Sequence, residues 1–313
     1  LSFAAMMLVA MAIDLALGWP DRLYAAIGHP VTWIGALIRW MDQRLNHDTA
    51  SDLVRRSAGV VTAVVVIGVA GGLACGVQRL LPQGWPGIVL GGVLAWPFVA
   101  LRSMHAHVAA VARPLQAGDL PAARHAVSMI VGRDPSVLDA AGVARAAMES
   151  LAENSSDGIV APLFWGAVAG LPGIVAYKAI NTLDSMIGHR TPRFEAFGWA
   201  SARIDDLVNL IPARLTGLLF ALASGRPKPA LRVMLRDARL HRSPNAGWPE
   251  AAMAGALNVR LSGPRVYANR VAEEPWVNPG APDPAAADLQ RGLALYVRAM
   301  FVLGLGLAVL ALI

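Results

Sequence analysis

Residues 149–190 read ESLAENSSDGIVAPLFWGAVAGLPGIVAYKAINTLDSMIGHR. Between the acidic opening and the polar close, the run 158–180 carries a single charge, Lys178. That run approaches the roughly 20 apolar residues with which a helix crosses hydrocarbon, and a helix satisfies its own backbone there. Polar positions crowd both ends. Glu149, Glu153, Asn154 and Asp157 precede the run, Asn181, Asp184, Ser185, His189 and Arg190 follow it, and Arg203, Asp205, Asp206, Asn209 and Arg214 come next. Each ionised group at bilayer depth costs about 2.5–3.5 kcal/mol on insertion scales unless a partner, a cation or water meets it. Their concentration predicts an active site at a membrane surface, with a buried structural ion-pair network as the alternative.

Composition agrees with a bilayer. Of the 313 residues 56% are hydrophobic and 15% charged, against roughly 45–50% and 25% in a soluble domain; the mean hydropathy is +0.49. The expected fold is all-α, a polytopic membrane helical bundle with cytoplasmic helical loops and one broken or re-entrant segment. Candidate spans lie at 1–17, 59–81, 85–101, 158–180 and 292–313, with a shorter, more polar one at 204–223 that Pro212 and Arg214 interrupt. Leu1 to Leu17 lacks a basic n-region and holds Asp14, which favours a first membrane helix over a secretory signal. The whole chain reads as one membrane-embedded catalytic domain, with 224–291 as a cytoplasmic loop region.

The charge of +6 has two readings, nucleic acid or membrane. No nucleic-acid module is present. Twenty of the 27 basic residues fall in 18–58, 102–157 and 224–293, as they do in loops kept on the cytoplasmic side. Nucleic acid is therefore not expected as a partner; the lipid bilayer is. A full span at 158–180 would carry 181–203 outward, away from the other polar positions. Pro162, Pro172 and Gly173 favour a broken or re-entrant passage that returns His189 and Arg190 to the inner side. Cys75 is the single cysteine, so neither an internal disulfide nor a Cys-type zinc site is available.

Spacing adds chemistry. Asp134-Pro135 predicts an N-cap and first helical position, opening a helix to about Asn154. On it Arg145, Glu149, Glu153 and Asp157 recur every four residues and share a face. Arg145 with Glu149 alone reads as an ordinary salt bridge. Like charges one turn apart repel unless a cation sits between them, and the carboxylates of the series suit Mg²⁺. Asn181 with Asp184, and Asp205 or Asp206 with Asn209, repeat the pattern on later helices, and His189, Arg190, Arg203 and Arg214 offer cations to phosphate oxygens.

Residues 224–293 begin with a basic helix in which Arg232, Arg236 and Arg239 would face anionic headgroups. His241 to Glu250 follows as a turn-rich run with many donors, a substrate clamp or a well-bonded turn. From Tyr267 to Asp288 the Pro-rich acidic sequence reads as linker. Gly304 and Gly306 read as packing glycines. Asp14 to Gly35 holds Asp14, Asp21 and His29-Pro30; on chemistry alone His29 ranks low. No P-loop, dinucleotide fingerprint or H-E-x-x-H motif occurs.

Several runs in fixed order resemble the adenosylcobinamide-phosphate synthase family of cobalamin biosynthesis, the CobD/CbiB membrane proteins. They are Asp14 to Gly35 with His29-Pro30; Gly132-Arg133-Asp134-Pro135 through Glu149 to Asn154; Ser156-Asp157-Gly158; Lys178 to Ser185; Gly188-His189-Arg190; Ala202-Arg203 with Asp205-Asp206; and His241 to Glu250. Together they cover nearly the whole chain. Where the family pattern has a glycine pair after Tyr267, this chain has Ala268-Asn269.

The resemblance implies an integral-membrane ligase of the bacterial cytoplasmic membrane with its active site facing the cytoplasm. It would join aminopropanol or aminopropanol phosphate to a carboxylate of adenosylcobyric acid, consuming ATP with Mg²⁺. The likeness gives positions and not roles; as our own assignment of roles, Glu153, Asp157 and Asp184 hold the metal. Arg190, Arg203 and Arg214 bind phosphate, and His189 or His241 is the base, with Glu149, Asn154 and Asp206 also catalytic. His29, Asn181, Ser185, Asn209, Arg242, Ser243, Asn245 and Trp248 join the three arginines in binding substrate. Trp165, Phe194, Phe197, Trp199 and Trp248 are candidates for a platform under the corrin ring, or for interface anchors. Other enzymes of the pathway and further copies of the chain are candidate partners. The strongest rival is an intramembrane Mg²⁺-dependent prenyl- or alcohol-phosphate transferase. A transporter would need an internal repeat, which the sequence lacks, and a non-catalytic anchoring subunit would bind the corrinoid without turning it over.

Overall fold

The computed structural model describes residues 2–132, 134–267 and 270–313. In chain order the helices are α1 (Phe3–Leu17), α2 (Asp21–Ile27), α3 (Pro30–Leu45), α4 (Asp52–Leu80), α5 (Trp85–Ala95), α6 (Leu101–Gln116), α7 (Leu120–Ser128), α8 (Ala140–Ser155), α9 (Ala161–Ile187), α10 (Trp199–Val208), α11 (Leu210–Ala223), α12 (Pro227–Asp237), α13 (Gly247–Leu257) and α14 (Ala286–Leu312). Four short strands, β1 (Leu261–Ser262), β2 (Arg265–Tyr267), β3 (Arg270–Ala272) and β4 (Trp276–Val277), interrupt the helical pattern. Four helical stretches, Asp52–Leu80, Trp85–Gln116, Ala140–Ile187 and Ala286–Leu312, are long and apolar enough to cross a membrane. Two bent pairs, α1 with α2–α3 and α10 with α11, raise the number to six if each is one span. The protein is an all-α polytopic membrane protein.

The chain packs as two compact units, each drawn from separated stretches. The first comprises Leu1–Ala100, Ala161–Asn209 and Leu307–Ile313. Here α9 lies against α1, α4 and α10, and α3 packs on α4. Ile38, Ala63, Val66, Ala179, Leu183, Ile187, Phe197 and Ala200 make its core. Gly59 lets α4 meet the chain before α10, because a Cβ there would fall 1.8 Å from the Phe197 carbonyl oxygen. Beside it the Arg55 guanidinium donates to the Asn46 side chain at 2.9 Å and to the Pro192 and Arg193 carbonyls. Those bonds tie the segment after α9 to the α3–α4 turn.

Within α9 the backbone leaves helical geometry at Gly170, where φ is 69° and ψ is −144°. The Leu171 N–H, freed by the break, donates to Gln78 Oε1 at 2.7 Å. That side chain fills the space a Cβ on Gly170 would need. The break expected around Pro172 and Gly173 thus has a definite place and a partner on α4.

The second unit comprises Leu101–Val160 and Leu210–Gly306. All eleven residues of α13 are buried, as expected for a helix apolar on every side, and α8, α11 and α12 surround it. A Cβ at Gly255 would sit 2.8 Å from the Pro229 carbonyl oxygen, so glycine sets the α12–α13 approach. β1 pairs antiparallel with β4, Leu261 opposite Val277, and β2 with β3.

Several expectations are corrected here. The helix does not open at Asp134: its carboxylate is taken by the Ser136 N–H and hydroxyl, both at 2.9 Å, and these bonds hold it below the usual carboxylate range. Asp139 caps α8 instead, accepting from the Gly142 N–H at 2.7 Å. The expected linker is pinned down. β4 pairs with β1, and Asp283 binds the guanidiniums of Arg260 and Arg145, both of which also stack on Trp276. The Arg145–Asp283 pairing spans 138 residues and leaves no local signal. A Cβ on Gly306 would meet nothing within 4 Å, so this glycine packs against nothing among the described residues. Arg133, Ala268 and Asn269 lie outside the described residues.

Candidate functional site

In the first unit the second half of α9 and the whole of α10 bring the polar positions together. Lys178 and Asn181 lie one turn apart on α9, and the Lys178 ammonium donates to Asn181 Oδ1 at 3.1 Å. Asp184 follows on the same helix. A Cβ at Gly188 would come within 2.0 Å of Asp184 Oδ1, so this glycine is what lets the chain turn beside that carboxylate. His189 and Arg190 are exposed just beyond. His189 is an electrostatic neighbour of Asp184, and Arg190 of Asp206.

From α10 come Arg203, Asp205 and Asp206. Arg203 pairs with Asp206 at 3.3 Å across one turn. Asp205 points inward: its Oδ2 accepts from the Asn209 amide at 3.0 Å, and Asn209 Oδ1 in turn accepts from the Tyr177 hydroxyl at 2.9 Å. Asp205 Oδ1 is buried and meets no donor among the described residues. Electrostatically Asp205 feels Asp184, Asp206 and Lys178. The cluster is therefore three mutually interacting carboxylates, with the Lys178 ammonium near Asp205, that carboxylate fixed by a buried phenol–amide chain, and two arginines at the open side. Ser185 uses its hydroxyl on the Asn181 carbonyl.

His29 is a helix cap. Its Nδ1 accepts from the Val31 N–H at 3.2 Å while the Thr32 hydroxyl bonds to its backbone, and its ring stands edge-on to Trp19 at 4.8 Å. Lys178 is its charged neighbour. Of the expected aromatic platform, Phe197 is fully buried in the core, the Trp165 indole donates to the Val208 carbonyl, and Trp199 is stacked under Arg56. Each has a packing role.

In the second unit the four-residue series on α8 separates. Arg145 reaches Asp283, 138 residues away. Glu149, buried, accepts from the Ser262 N–H at 2.8 Å and anchors β1. Glu153 and Asn154 are exposed, and the Asn154 amide folds back on Ser150. A π-helical turn, Ser156–Val160, follows α8 and takes Asp157 out of the α-helical register that would stack it over Glu153.

Arg214 lies 4.3 Å from the Trp248 ring centre and donates to the Leu210 carbonyl, with Asn245 Oδ1 at 3.5 Å. His241 Nδ1 accepts from the Ser243 N–H, and its Nε2 faces Glu250 at 3.7 Å. The Ser243 hydroxyl accepts from the Asn245 and Ala246 N–H groups. The His241–Glu250 run is thus well bonded within itself and sets Trp248 and Asn245 against Arg214 of α11. Arg242 stays exposed, 3.9 Å from Glu274.

The expected metal ligands fall in both units: Glu153 and Asp157 in the second, Asp184 in the first. Among the described residues no three His, Cys, Asp or Glu side chains are grouped to hold a metal ion. Sequence reasoning missed Tyr177, whose hydroxyl sets Asn209, and Gln78, which serves the α9 break. Both are uncharged and each lies outside the runs that carry the family resemblance, so nothing in the local pattern singles them out.

Comparison with known proteins bears on this arrangement. The family model described as CobD/Cbib protein matches residues 7–296. Cobalamin biosynthesis protein CobD of Rhodobacter capsulatus is 74% identical over 300 residues, covering 96% of this chain and 95% of its own. The Sinorhizobium sp protein of that name is 48% identical over 94% of each chain, and that of Brucella suis is 47% identical over 92% of this chain and 90% of its own. No solved structure matches. With the family pattern running through both units and nearly every polar position described above, the chain belongs to the CobD/Cbib protein family.

Proposed function

We propose that the chain is a cobalamin-biosynthesis ligase that joins aminopropanol or its phosphate to a carboxylate of adenosylcobyric acid at the expense of ATP. The observation that carries this reading is the α9–α10 cluster in a chain 74% identical to a named cobalamin biosynthesis protein. Amide formation from a carboxylate and an ammonium needs two things of a protein. The acid must be activated as an acyl phosphate or adenylate, and the amine must lose a proton before its nitrogen attacks the acyl carbon and phosphate or AMP leaves.

The donor set fits a shared ion better than a caged one. Mg²⁺ keeps several waters and is commonly held by one or two carboxylates plus substrate phosphates, and Asp184, Asp205 and Asp206 are hard oxygen donors without a closed cage. Bound with the nucleotide, Mg²⁺ supplies neutralisation of phosphate charge. The protein's own part is positional. Tyr177 and Asn209 hold Asp205 in one orientation, Arg190 and Arg203 present guanidiniums to phosphate oxygens, and Lys178 steadies Asn181. His189, exposed beside Asp184, is placed to take the ammonium proton; His241, facing Glu250, is the second candidate base. The basic loops favour a cytoplasmic site.

The test is purified protein with adenosylcobyric acid, ATP, Mg²⁺ and either amine, followed by mass spectrometry of the corrinoid. A mass gain equal to the amine less water, matched by nucleotide cleavage, is expected. Consumption of a lipid diphosphate without ATP would select the transferase instead. Asp184→Ala should lose product while remaining folded in detergent, and near-full turnover would remove Asp184 from the site.

A further inference from the structure

A groove of about 570 Å³ in the first unit has no place in the ligase reading. Its wall is formed by the α1–α2 turn, α2, α3, α4, the end of α5 with the segment after it, and the middle of α9, and the lining is apolar apart from three tryptophan indoles. Ala70, Leu73 and Ala74 of α4 form one side, Leu171 and Val175 of α9 another. The groove opens outward, since Leu73 is 69% exposed and Trp33 55% exposed. The same helix carries exposed valines beyond the groove, Val64 at 64% among them, and it is a candidate membrane span. The groove is therefore continuous with a surface that faces hydrocarbon.

Three tryptophans give it an interfacial character. Trp96 donates to the Gly18 carbonyl at 2.9 Å and Trp33 to the Ile27 carbonyl at 3.0 Å. Trp19 packs on Trp96 at 5.2 Å, yet among the described residues its buried indole N–H meets no acceptor. Tryptophans of this kind gather where hydrocarbon meets headgroups, and a buried donor is costly until an oxygen reaches it. The volume also discriminates between occupants. It holds about one turn of a helix roughly 10–12 Å across, too little to seat a neighbouring copy's span, whereas a narrow alkyl chain fits along it.

We propose that this groove is a lipid site, taking one acyl chain of a bilayer glycerophospholipid whose ester carbonyl accepts from the Trp19 indole once that ring, its N–H otherwise closed off, turns toward it. Native mass spectrometry of the detergent-purified full chain, supplied with palmitoyl-oleoyl phosphatidylethanolamine, tests it. One tightly retained lipid per protomer is expected. Ala70→Phe with Ala74→Phe, which fills the groove, should abolish retention. Trp19→Phe should lower occupancy about threefold, as for one lost hydrogen bond. Val64→Phe, on the lipid-facing side of α4 outside the groove, should leave it unchanged. Should the filled variant fail to fold, Ala74→Leu in a protein of wild-type melting temperature should still reduce retention. Equal retention in the groove and Val64 variants would overturn the site. So would a lipid-free dimer of the wild type that the groove variants dissociate, which would make a second copy the occupant.

Discussion

A carboxylate acquires its role from its neighbours, and the adjacent pair Asp205 and Asp206 shows how far two can diverge. Asp206 pairs with Arg203 at the open side, while Asp205 depends on Asn209 and, through it, on Tyr177. Removing the phenol hydroxyl leaves Asn209 Oδ1 buried without a donor, a loss of about 1–3 kcal/mol. Tyr177→Phe should therefore lower thermal stability in detergent by that amount, and Asn209→Ala by more, because it also strips Asp205. An unchanged unfolding curve for Tyr177→Phe would show that the chain of bonds is not formed. Asp283 offers the corresponding test outside the membrane. The Arg260 hydrogen bond, with Arg145 adding its charge, pulls its carboxyl from 3.8 down to about 2. A carboxylate depressed in the folded state stabilises fully above its unfolded value and loses that contribution as pH falls through the folded one. Asp283→Asn should melt lower than wild type at neutral pH, and the gap should close between about pH 4 and pH 2. A gap constant across that window would rule out the ion pair.

At the scale of elements, the sequence specifies helices well and their terminations poorly. The apolar run after Gly158, the spans near 59–81 and 292–313, and the short turn at Gly84 are all legible because hydrophobic length and glycine act locally. The start of α8 is not, since two aspartates five residues apart compete and only the fold decides that Ser136 captures the first. The stripe from Arg145 to Asp157 likewise assumes an α-helical register that the π-turn at Ser156–Val160 ends. The polar residues of α9 and α10 are readable as a group because charge in oily sequence is rare; the phenol that orients one of them is not. Gly170 combines a positive φ with a close neighbour. With φ at 69° and Gln78 occupying the Cβ position, Gly170→Ala meets both a left-handed backbone and a clash. Its cost should exceed about 1 kcal/mol. Gln78→Ala removes the clashing group but also the acceptor of the Leu171 N–H, so it should destabilise by itself, and adding Gly170→Ala to it should cost less than in the wild type without being free, read from detergent melting temperatures. No added cost would mean that the backbone at Gly170 tolerates a side chain.

For the whole molecule the decisive quantity is where charge lies along the chain. Basic residues concentrate in 18–58, 102–157 and 224–293, and each lysine or arginine left on the outer face would oppose the orientation that insertion favours. The stretch Trp85–Gln116 is long and apolar enough to cross the membrane, with exposed Gln83 before it and exposed Ala117 after it. If charge sets the topology, these two positions face opposite compartments, Gln83 outward and Ala117 toward the cytoplasm. Cys75 is the single native cysteine, so Cys75→Ala gives a clean background for one new thiol at a time. In intact cells a membrane-impermeant maleimide should label Gln83→Cys, and Ala117→Cys only after permeabilisation. Labelling of Ala117→Cys in intact cells would put the 102–157 segment outside, away from cytoplasmic ATP, and the ligase reading would lose its nucleotide supply along with its orientation.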